Sequence, residues 1–362
     1  MLNGGDSVKH PVRSGRRFHE GKSTMDKRQR LAAAILWYLL VSAFSGSAET
    51  QFPGASRIES HGYQGCILLD NPVVRVILEP NCGGRVLEYS YKGTNAIYVD
   101  PAQDGIVSVP GKPLPDPCGG RCDIGPEMTV PRHPDLWTGK WSAEIIGKRA
   151  ARMTSAEDKA TGVQLIREFR LDKNTSQLTF TQIICNVSGE TKSYCHWSRT
   201  FVTGGGICLV PISPGSRFPR GFTIYRDGGL VIRPEDHANY RIHDNFLVID
   251  GEPPQSKFGL DSATGWLAYI TKSNLLFVKR FPVYPERAYA EFAALTISIW
   301  YYKDMMCELE PIGPKEVIKP GGKASFTENW RLLPYDYPPD KKVDLDALTA
   351  LVNTQAKSEL SG

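Results

Sequence analysis

The sequence lacks a membrane-spanning apolar run and several motifs that identify enzyme classes. Its main apolar run, Leu31–Phe44, is shorter than the roughly 20 residues that a transmembrane helix needs. There is no Gly-x-Ser-x-Gly elbow, no P-loop and no His-Glu-x-x-His pattern. The glycines of Thr203–Ile207 precede no predicted helix, so they indicate a loop and not a phosphate site. We therefore expect no stable membrane span in the mature chain and none of these three chemistries.

The sequence also lacks a basic surface of the kind that binds nucleic acid. The formal net charge is +4 over 362 residues. Residues 1–30 carry eight basic and three acidic side chains, so the remainder of the chain has a net charge of −1. A nearly neutral body does not favour contact with a phosphate backbone. We predict no nucleic-acid partner.

The N-terminal region has the features of a secretory leader. Lys27, Arg28 and Arg30 precede the apolar run, and small residues follow it at 45–48. A basic segment, a short apolar segment and a small-residue cleavage site are typical of a signal peptide. The alternatives are a buried core helix and a signal anchor. We predict a leader over residues 1–48, with the signal peptide at about 25–48, and a secreted or periplasmic protein.

All eight cysteines follow the predicted cleavage site, which permits disulfides in an exported chain. Cys118 and Cys122, in a glycine-rich loop, are the favoured bridged pair. Four others lie in apolar runs, where a thiol also serves as a small core residue. A zinc site with His133 lacks further ligands at suitable spacing, so we predict no metal and no cofactor.

From about residue 51 to 336 the sequence predicts β-strands and turns in a single domain. The chain contains 34 glycines and 26 prolines, and many of them separate short runs rich in β-branched and aromatic residues. The predicted strands are Val73–Leu78, Val163–Leu171, Leu178–Val187, Gly206–Pro211, Gly265–Ile270, Leu275–Phe281, Ala293–Tyr301 and Met305–Glu310. The proline-rich interval Asp100–Trp141 is predicted to be a long irregular excursion that forms a lid or a binding wall. Apolar residues at helical spacing predict a C-terminal helical tail over residues 337–362.

Three stretches, taken together, resemble a known superfamily. Asn71–Val86 reads NPVVRVILEPNCGGRV, Glu190–Trp197 reads ETKSYCHW, and Cys307–Pro311 reads CELEP before a closing strand at Trp330. Their order and spacing resemble the galactose mutarotase-like superfamily. Cys118 and Cys195 stand where mutarotases carry a histidine and an asparagine, which favours a secreted branch without an assigned reaction.

The resemblance implies an all-β galactose mutarotase-like β-supersandwich that binds a mono- or oligosaccharide. It implies that His196 is a general acid at the ring oxygen and that Glu310 is the general base. Glu308 lies two residues before Glu310, so both point to the same face of one strand. That face is either an ordinary solvated surface or the lining of a polar pocket.

Four further residues are candidates for substrate contact. Arg85 follows two glycines, and its guanidinium suits sugar hydroxyls or a carboxylate, although an ion pair with a nearby acid explains it equally well. Trp137 offers a face for stacking on a sugar ring, while Arg132 and His133 lie in the same excursion. Successive side chains of a strand point to opposite faces, so Trp197 lies on the face opposite His196 and is a weak candidate for substrate contact.

Two functions of different classes remain open, because one fold supports both enzymes and binding modules. The first is an isomerase of the aldose 1-epimerase type that uses a His/Glu acid–base pair. The second is a non-catalytic secreted module that binds carbohydrate during glycan utilisation. A lyase or hydrolase is less favoured, since no nucleophile or lyase tyrosine is assignable. The oligomeric state is not predicted.

Overall fold

The computed structural model describes residues 52–109, 111–115 and 117–357. The predicted leader lies outside the described residues. The first twelve strands are β1 (Ala55–Ser60), β2 (Tyr63–Asp70), β3 (Val74–Glu79), β4 (Arg85–Tyr91), β5 (Thr94–Asn95), β6 (Gly120–Gly125), β7 (Ser142–Gly147), β8 (Ala150–Thr154), β9 (Val163–Leu171), β10 (Leu178–Asn186), β11 (Lys192–Thr203) and β12 (Ile207–Pro211). The others are β13 (Thr223–Arg226), β14 (Gly229–Val231), β15 (Tyr240–His243), β16 (Phe246–Ile249), β17 (Lys257–Leu260), β18 (Trp266–Ile270), β19 (Leu275–Arg280), β20 (Ile297–Tyr302), β21 (Met306–Pro311), β22 (Glu316–Ile318) and β23 (Lys323–Pro334).

Helices are few in the described part of the chain. They are α1 (Pro134–Trp137), α2 (Leu345–Lys357) and two 3₁₀ turns at Pro101–Gln103 and Phe292–Ala294. No helix among the described residues is long and apolar enough to cross a membrane.

The strands form two antiparallel sheets. The first has the order β1-β2-β3-β4-β6-β11-β21-β20-β17-β13-β14, with β5 beside β4 and β22 beside β11. The second has the order β15-β16-β12-β18-β19-β23-β10-β9-β8-β7. The predicted all-β class and β-sandwich are therefore confirmed, as is the C-terminal helix. Each of the eight predicted strands is present, with ends shifted by at most a few residues.

One strand occurs where the sequence predicts an irregular excursion. β6 lies in the middle of the first sheet, between β4 and β11. Its residues GRCDIG include two glycines, an arginine and an aspartate, so it lacks the apolar alternation of a recognisable strand. The expectation of a continuous loop over Asp100–Trp141 is wrong at this point.

The core lies between the two sheets, where apolar side chains from alternate positions meet. Trp330 on β23 is fully buried, with ring centroids 5.4 Å from Phe180, 5.4 Å from Phe277 and 6.1 Å from Tyr89. The core also holds a buried cation. The Nζ of Lys279 lies 3.0 Å from Glu328 and donates to the Ser198 and Thr200 hydroxyls at 2.7 and 3.0 Å.

The tail helix α2 covers the other face of the second sheet. Leu345, Leu348 and Val352 are buried in a cluster with side chains of β12, β16, β18 and β19. Burial of each such side chain contributes roughly 1.5–3 kcal/mol, so these three hold the helix on the sheet. With the helix on one side and the core on the other, β12, β16, β18 and β19 of the second sheet are covered on both faces.

Candidate functional site

The face of the first sheet that points away from the second sheet carries an unusual number of charged side chains. Antiparallel pairing places Trp197 opposite Asp123, Ser298 opposite Glu310, and Trp300 opposite both Glu308 and Lys257. Directly paired residues share a face of a sheet. We call this surface, centred on β6, β11, β21, β20 and β17, the charged face.

Cations and aromatic rings alternate across the charged face. The members of this cation–aromatic stack, in order, are Arg121, Trp137, Arg199, Trp197, Lys257 and Tyr225. Between successive members, the distance from the charged group to the ring centroid is 4.3, 4.7, 4.7, 4.9 and 5.2 Å. Each such contact is attractive by roughly 0.5–2 kcal/mol, more where water is excluded. The stack fixes the side chains of four strands and α1 relative to one another.

Carboxylates anchor the stack from the sheet. Glu308 accepts hydrogen bonds from Arg199, 2.7 Å from Nε and 3.4 Å from Nη2. Glu310 accepts one from the Trp197 indole N–H at 2.7 Å. The Nζ of Lys257 lies 2.7 Å from Glu127 and 3.9 Å from Glu310. Although burial disfavours a charged lysine, these two carboxylates outweigh it and raise the pKa of Lys257.

Glu310 is the most perturbed acid of the charged face. Its side chain is 0% exposed, and its Oε1 has no hydrogen-bond partner among the described residues. Burial first, and then the charge of Glu308, raise its pKa to about 8, against the opposing effects of Lys257 and Arg199. A carboxyl group whose pKa is raised in this way can hold a proton near neutral pH and donate it.

The excursion after β6 is tied down by a histidine. The His133 ring lies 2.8 Å from Asp123 through Nε2 and 2.6 Å from the Pro131 carbonyl through Nδ1. Burial alone would lower the pKa of His133, but the hydrogen bond and charge of Asp123 outweigh it and raise it to about 9. The imidazolium then donates from both nitrogens, which fixes the segment over the sheet.

Trp137 is positioned by the glycine pair that the sequence analysis singled out. A Cβ on Gly83, whose φ is +77°, would lie 2.0 Å from the Trp137 carbonyl oxygen. Arg121 donates to the same oxygen at 2.6 Å. The backbone can approach this closely only because residue 83 has no side chain.

A cavity of about 260 Å³ opens between the excursion and the charged face. Acidic, basic and apolar side chains surround it. The lining residues are Leu114, Asp123, Ile124, Glu127, Val130, Pro131, Arg132, His133, Pro134, Trp137, Trp197 and Arg199. Fixed donors and acceptors around a small concave space suit a polar small molecule. In the described part of the chain, no three His, Cys, Asp or Glu side chains converge as metal ligands.

Comparison with solved structures identifies the architecture. A galactose mutarotase-like protein from Lactobacillus casei ATCC 334 superposes with a TM-score of 0.52 at 12% identity, over 74% of this chain and 100% of that one. The Slr1438 protein from Synechocystis sp. PCC 6803 gives 0.50 at 14% identity, over 80% of this chain and 99% of that one. The fold is galactose mutarotase-like. At these identities the likeness concerns the fold alone, and neither a family model nor a curated protein sequence matches the chain.

The galactose mutarotase-like fold does not bring His196 and Glu310 together. Successive residues of β11 point to opposite faces, and His196 points at the second sheet, where its ring stacks on Phe326 with centroids 5.7 Å apart. Its Nε2 lies 3.3 Å from the Ala324 carbonyl, and burial lowers its pKa to about 4. The predicted acid–base pair is therefore corrected, because His196 is a neutral core residue.

Arg85 is also buried away from the cavity. It is 1% exposed and donates to Glu79 at 3.1 Å, the Tyr63 hydroxyl at 2.8 Å and the Cys118 sulfur at 3.0 Å. The ion-pair alternative is the one observed, and Arg85 is not among the residues that line the cavity.

The structure does bring together most of the remaining candidates. Trp137, Arg132 and His133 line the cavity. Glu308 and Glu310 lie directly behind the lining, each hydrogen-bonded to a residue that forms it. The face that carries Glu308 and Glu310 is therefore not an ordinary solvated surface, because both acids are buried beneath residues that line the cavity.

Sequence reasoning missed Arg199, Lys257 and the importance of Trp197. The alternation that separates Trp197 from His196 was available from the sequence, and it also places Arg199 beside Trp197. The signal that could have selected this side is the acidic pair Glu308 and Glu310, which needs cationic partners when buried.

All eight cysteines are free thiols and buried. Cys122 lies within β6, and Cys118 precedes it as the sulfur that accepts from Arg85. The predicted Cys118–Cys122 disulfide is therefore absent. The thiols act as small core residues, the alternative that the sequence left open.

Proposed function

We propose that this protein binds a carbohydrate in the cavity on the charged face. The observation that carries the proposal is the rigid set of acidic and basic side chains around a space of about 260 Å³. Sugar hydroxyls require such fixed donors and acceptors. The two tryptophan rings have their faces covered by cations, so a sugar would meet their edges together with Val130, Pro131 and Pro134.

Binding is tested by a glycan array followed by isothermal titration with the best ligand. Asp123→Asn, inside the cavity, is expected to weaken binding at least tenfold, since it replaces one acceptor oxygen by a donor and removes the negative charge that holds His133. Glu252→Gln, a change at an exposed acid elsewhere, serves as the control. Absence of binding to every glycan would refute the proposal.

A second candidate, an isomerase of the aldose 1-epimerase type, is favoured by the protonated Glu310. Interconversion of anomers needs one group to protonate the ring oxygen and another to deprotonate the anomeric hydroxyl. Glu310 carries a proton at neutral pH and an Oε1 without a protein partner. In this proposal a substrate reaches it when the Glu127–Lys257 ion pair separates, and an ionised cavity carboxylate such as Asp123 accepts the hydroxyl proton.

Polarimetry of anomer equilibration decides between catalysis and binding alone. Removal of a general acid costs roughly 10²–10⁴-fold in rate, so Glu310→Gln should lose nearly all activity while Glu252→Gln retains it. Equal rates for Glu310→Gln and the wild type would leave only the non-catalytic binding module of glycan utilisation.

We further propose that the chain is exported with cleavage near residue 48. The basic, apolar and small-residue segments of the leader support this proposal. N-terminal sequencing of the protein recovered from the periplasm or medium tests it, and an intact leader in the cytoplasm would contradict it.

A further inference from the structure

One cation that lines the cavity has no acidic partner among the described residues. Asp123 is paired with His133, Glu127 with Lys257, and Glu308 with Arg199, while Glu310 lies deeper, 3.9 Å from the same Lys257. Arg132 lines the cavity, and no carboxylate of the described residues lies within ion-pair distance of it. An anionic ligand in the cavity would give Arg132 the partner that it lacks.

Arg199 has a hydrogen-bonding edge left over for a ligand. The rings of Trp137 and Trp197 lie over its guanidinium, each with its centroid 4.7 Å from the central carbon. Its Nε and Nη2 are bonded to Glu308, whereas Nη1 donates to no described residue and is not enclosed. Because Arg199 lines the cavity and is 18% exposed, this remaining edge faces the cavity.

Arg132 is held at the same cavity by its neighbours in sequence. The His133 ring bonds to Asp123 on β6 and to the Pro131 carbonyl, so both residues beside Arg132 are tied to the sheet. The Arg132 side chain itself is exposed and free to turn towards a ligand. The cavity thus presents two guanidinium groups with unused N–H donors, one fixed and one movable.

We infer that the cavity binds an anionic sugar, whose acid group lies against Arg132 and Arg199. This inference rests on the proposed carbohydrate binding and specifies its substrate class. A guanidinium matches a carboxylate or phosphate with two parallel hydrogen bonds, a geometry that a neutral hydroxyl does not offer. An acid group also supplies the anionic partner that Arg132 lacks among the described residues. A uronate and a sugar phosphate share this chemistry, and the experiment separates them.

The test measures binding by isothermal titration with three matched pairs of probes. These are glucose and galactose, their 6-uronates, and their 6-phosphates. Arg132→Gln removes the unpaired cation from an exposed position, so it leaves the buried ion pairs intact. The matched control is Arg233→Gln, at an exposed arginine outside the cavity.

We expect the acidic form of at least one sugar to bind tenfold or more tightly than its neutral form. Arg132→Gln should reduce that preference roughly tenfold, with Arg233→Gln unchanged, and added salt should weaken only the acidic ligand. The class that binds more tightly, uronate or phosphate, identifies the source of the acid group.

Two results overturn the inference and are distinguishable. Equal affinity for neutral and acidic forms, or an unchanged preference in Arg132→Gln, refutes the anionic ligand and leaves carbohydrate binding standing. Absence of binding to all six probes and to the glycan array removes the proposed function and the inference together.

Discussion

Replacement of His196 by leucine should make the protein less sensitive to acid. Burial holds the pKa of His196 at about 4, whereas the unfolded chain has the ordinary value of 6.5. As the pH falls from 6.5 to 4, the unfolded state takes up a proton that the folded state does not, so stability falls over that window. At 1.36 kcal/mol per pKa unit, the shift from 6.5 to about 4 lowers the free energy of unfolding by roughly 3 kcal/mol once the pH is below both values.

Urea unfolding followed by tryptophan fluorescence at pH 7, 6, 5 and 4.5 gives the free energy of unfolding at each pH. The wild type should lose roughly 2–3 kcal/mol more than His196→Leu between pH 7 and 4.5. His243→Leu, at an exposed histidine, is the matched control and should follow the wild type. If His196→Leu follows the wild type too, or if it stays folded but loses sugar binding, the assignment of His196 to the core is refuted.

Three further predictions follow from the buried groups. Lys279→Met leaves Glu328 without its cationic partner in the core, so urea unfolding should show a loss of about 3–5 kcal/mol in the free energy of unfolding. Adding Glu328→Gln should recover much of that loss, and equal stability of Lys279→Met and the wild type would contradict the pairing. In Asp123→Asn, histidine NMR should find the pKa of His133 well below the value of about 9 in the wild type, and an unchanged pKa would mean that Asp123 is not the cause. A thiol reagent should modify none of the eight cysteines in the native protein and all of them in urea, and fewer than eight after denaturation would indicate a disulfide.

The sequence predicts most of the strands because their apolar residues are buried in a simple period. In β9, Val163, Leu165, Phe169 and Leu171 alternate with more exposed residues, as a strand with one face on the core requires. β6 is not predictable in this way, since Arg121 and Asp123 on its outer side belong to the charged face. Their side-chain partners include Trp137 and His133 of the excursion, and the local sequence pattern of β6 contains no information about such contacts.

The sequence indicates the correct face of a strand where several residues constrain that face, and it misleads where a single residue type is followed. Glu308 and Glu310 together indicate a polar pocket, and that pocket exists. His196 was selected because a histidine suits acid–base chemistry, but a shift of one residue along a strand moves the side chain to the other face. The neighbours Trp197 and Arg199 occupy the position on the charged face that the prediction assigned to His196.

The buried cation of the core and the charged face differ in how completely their polar atoms are paired. In the core, the Lys279 ammonium has a carboxylate and two hydroxyls as partners, which a stable fold requires of a buried charge. Among the described residues four buried polar atoms lack a partner, and two of them, Arg121 Nε and Glu310 Oε1, belong to side chains of the charged face. A buried ion-pair network contributes little more to stability than apolar packing of the same volume, and unpaired atoms make it worse. Stability alone therefore does not explain the charged face, and the polar ligand that we propose for the cavity would supply partners for such atoms.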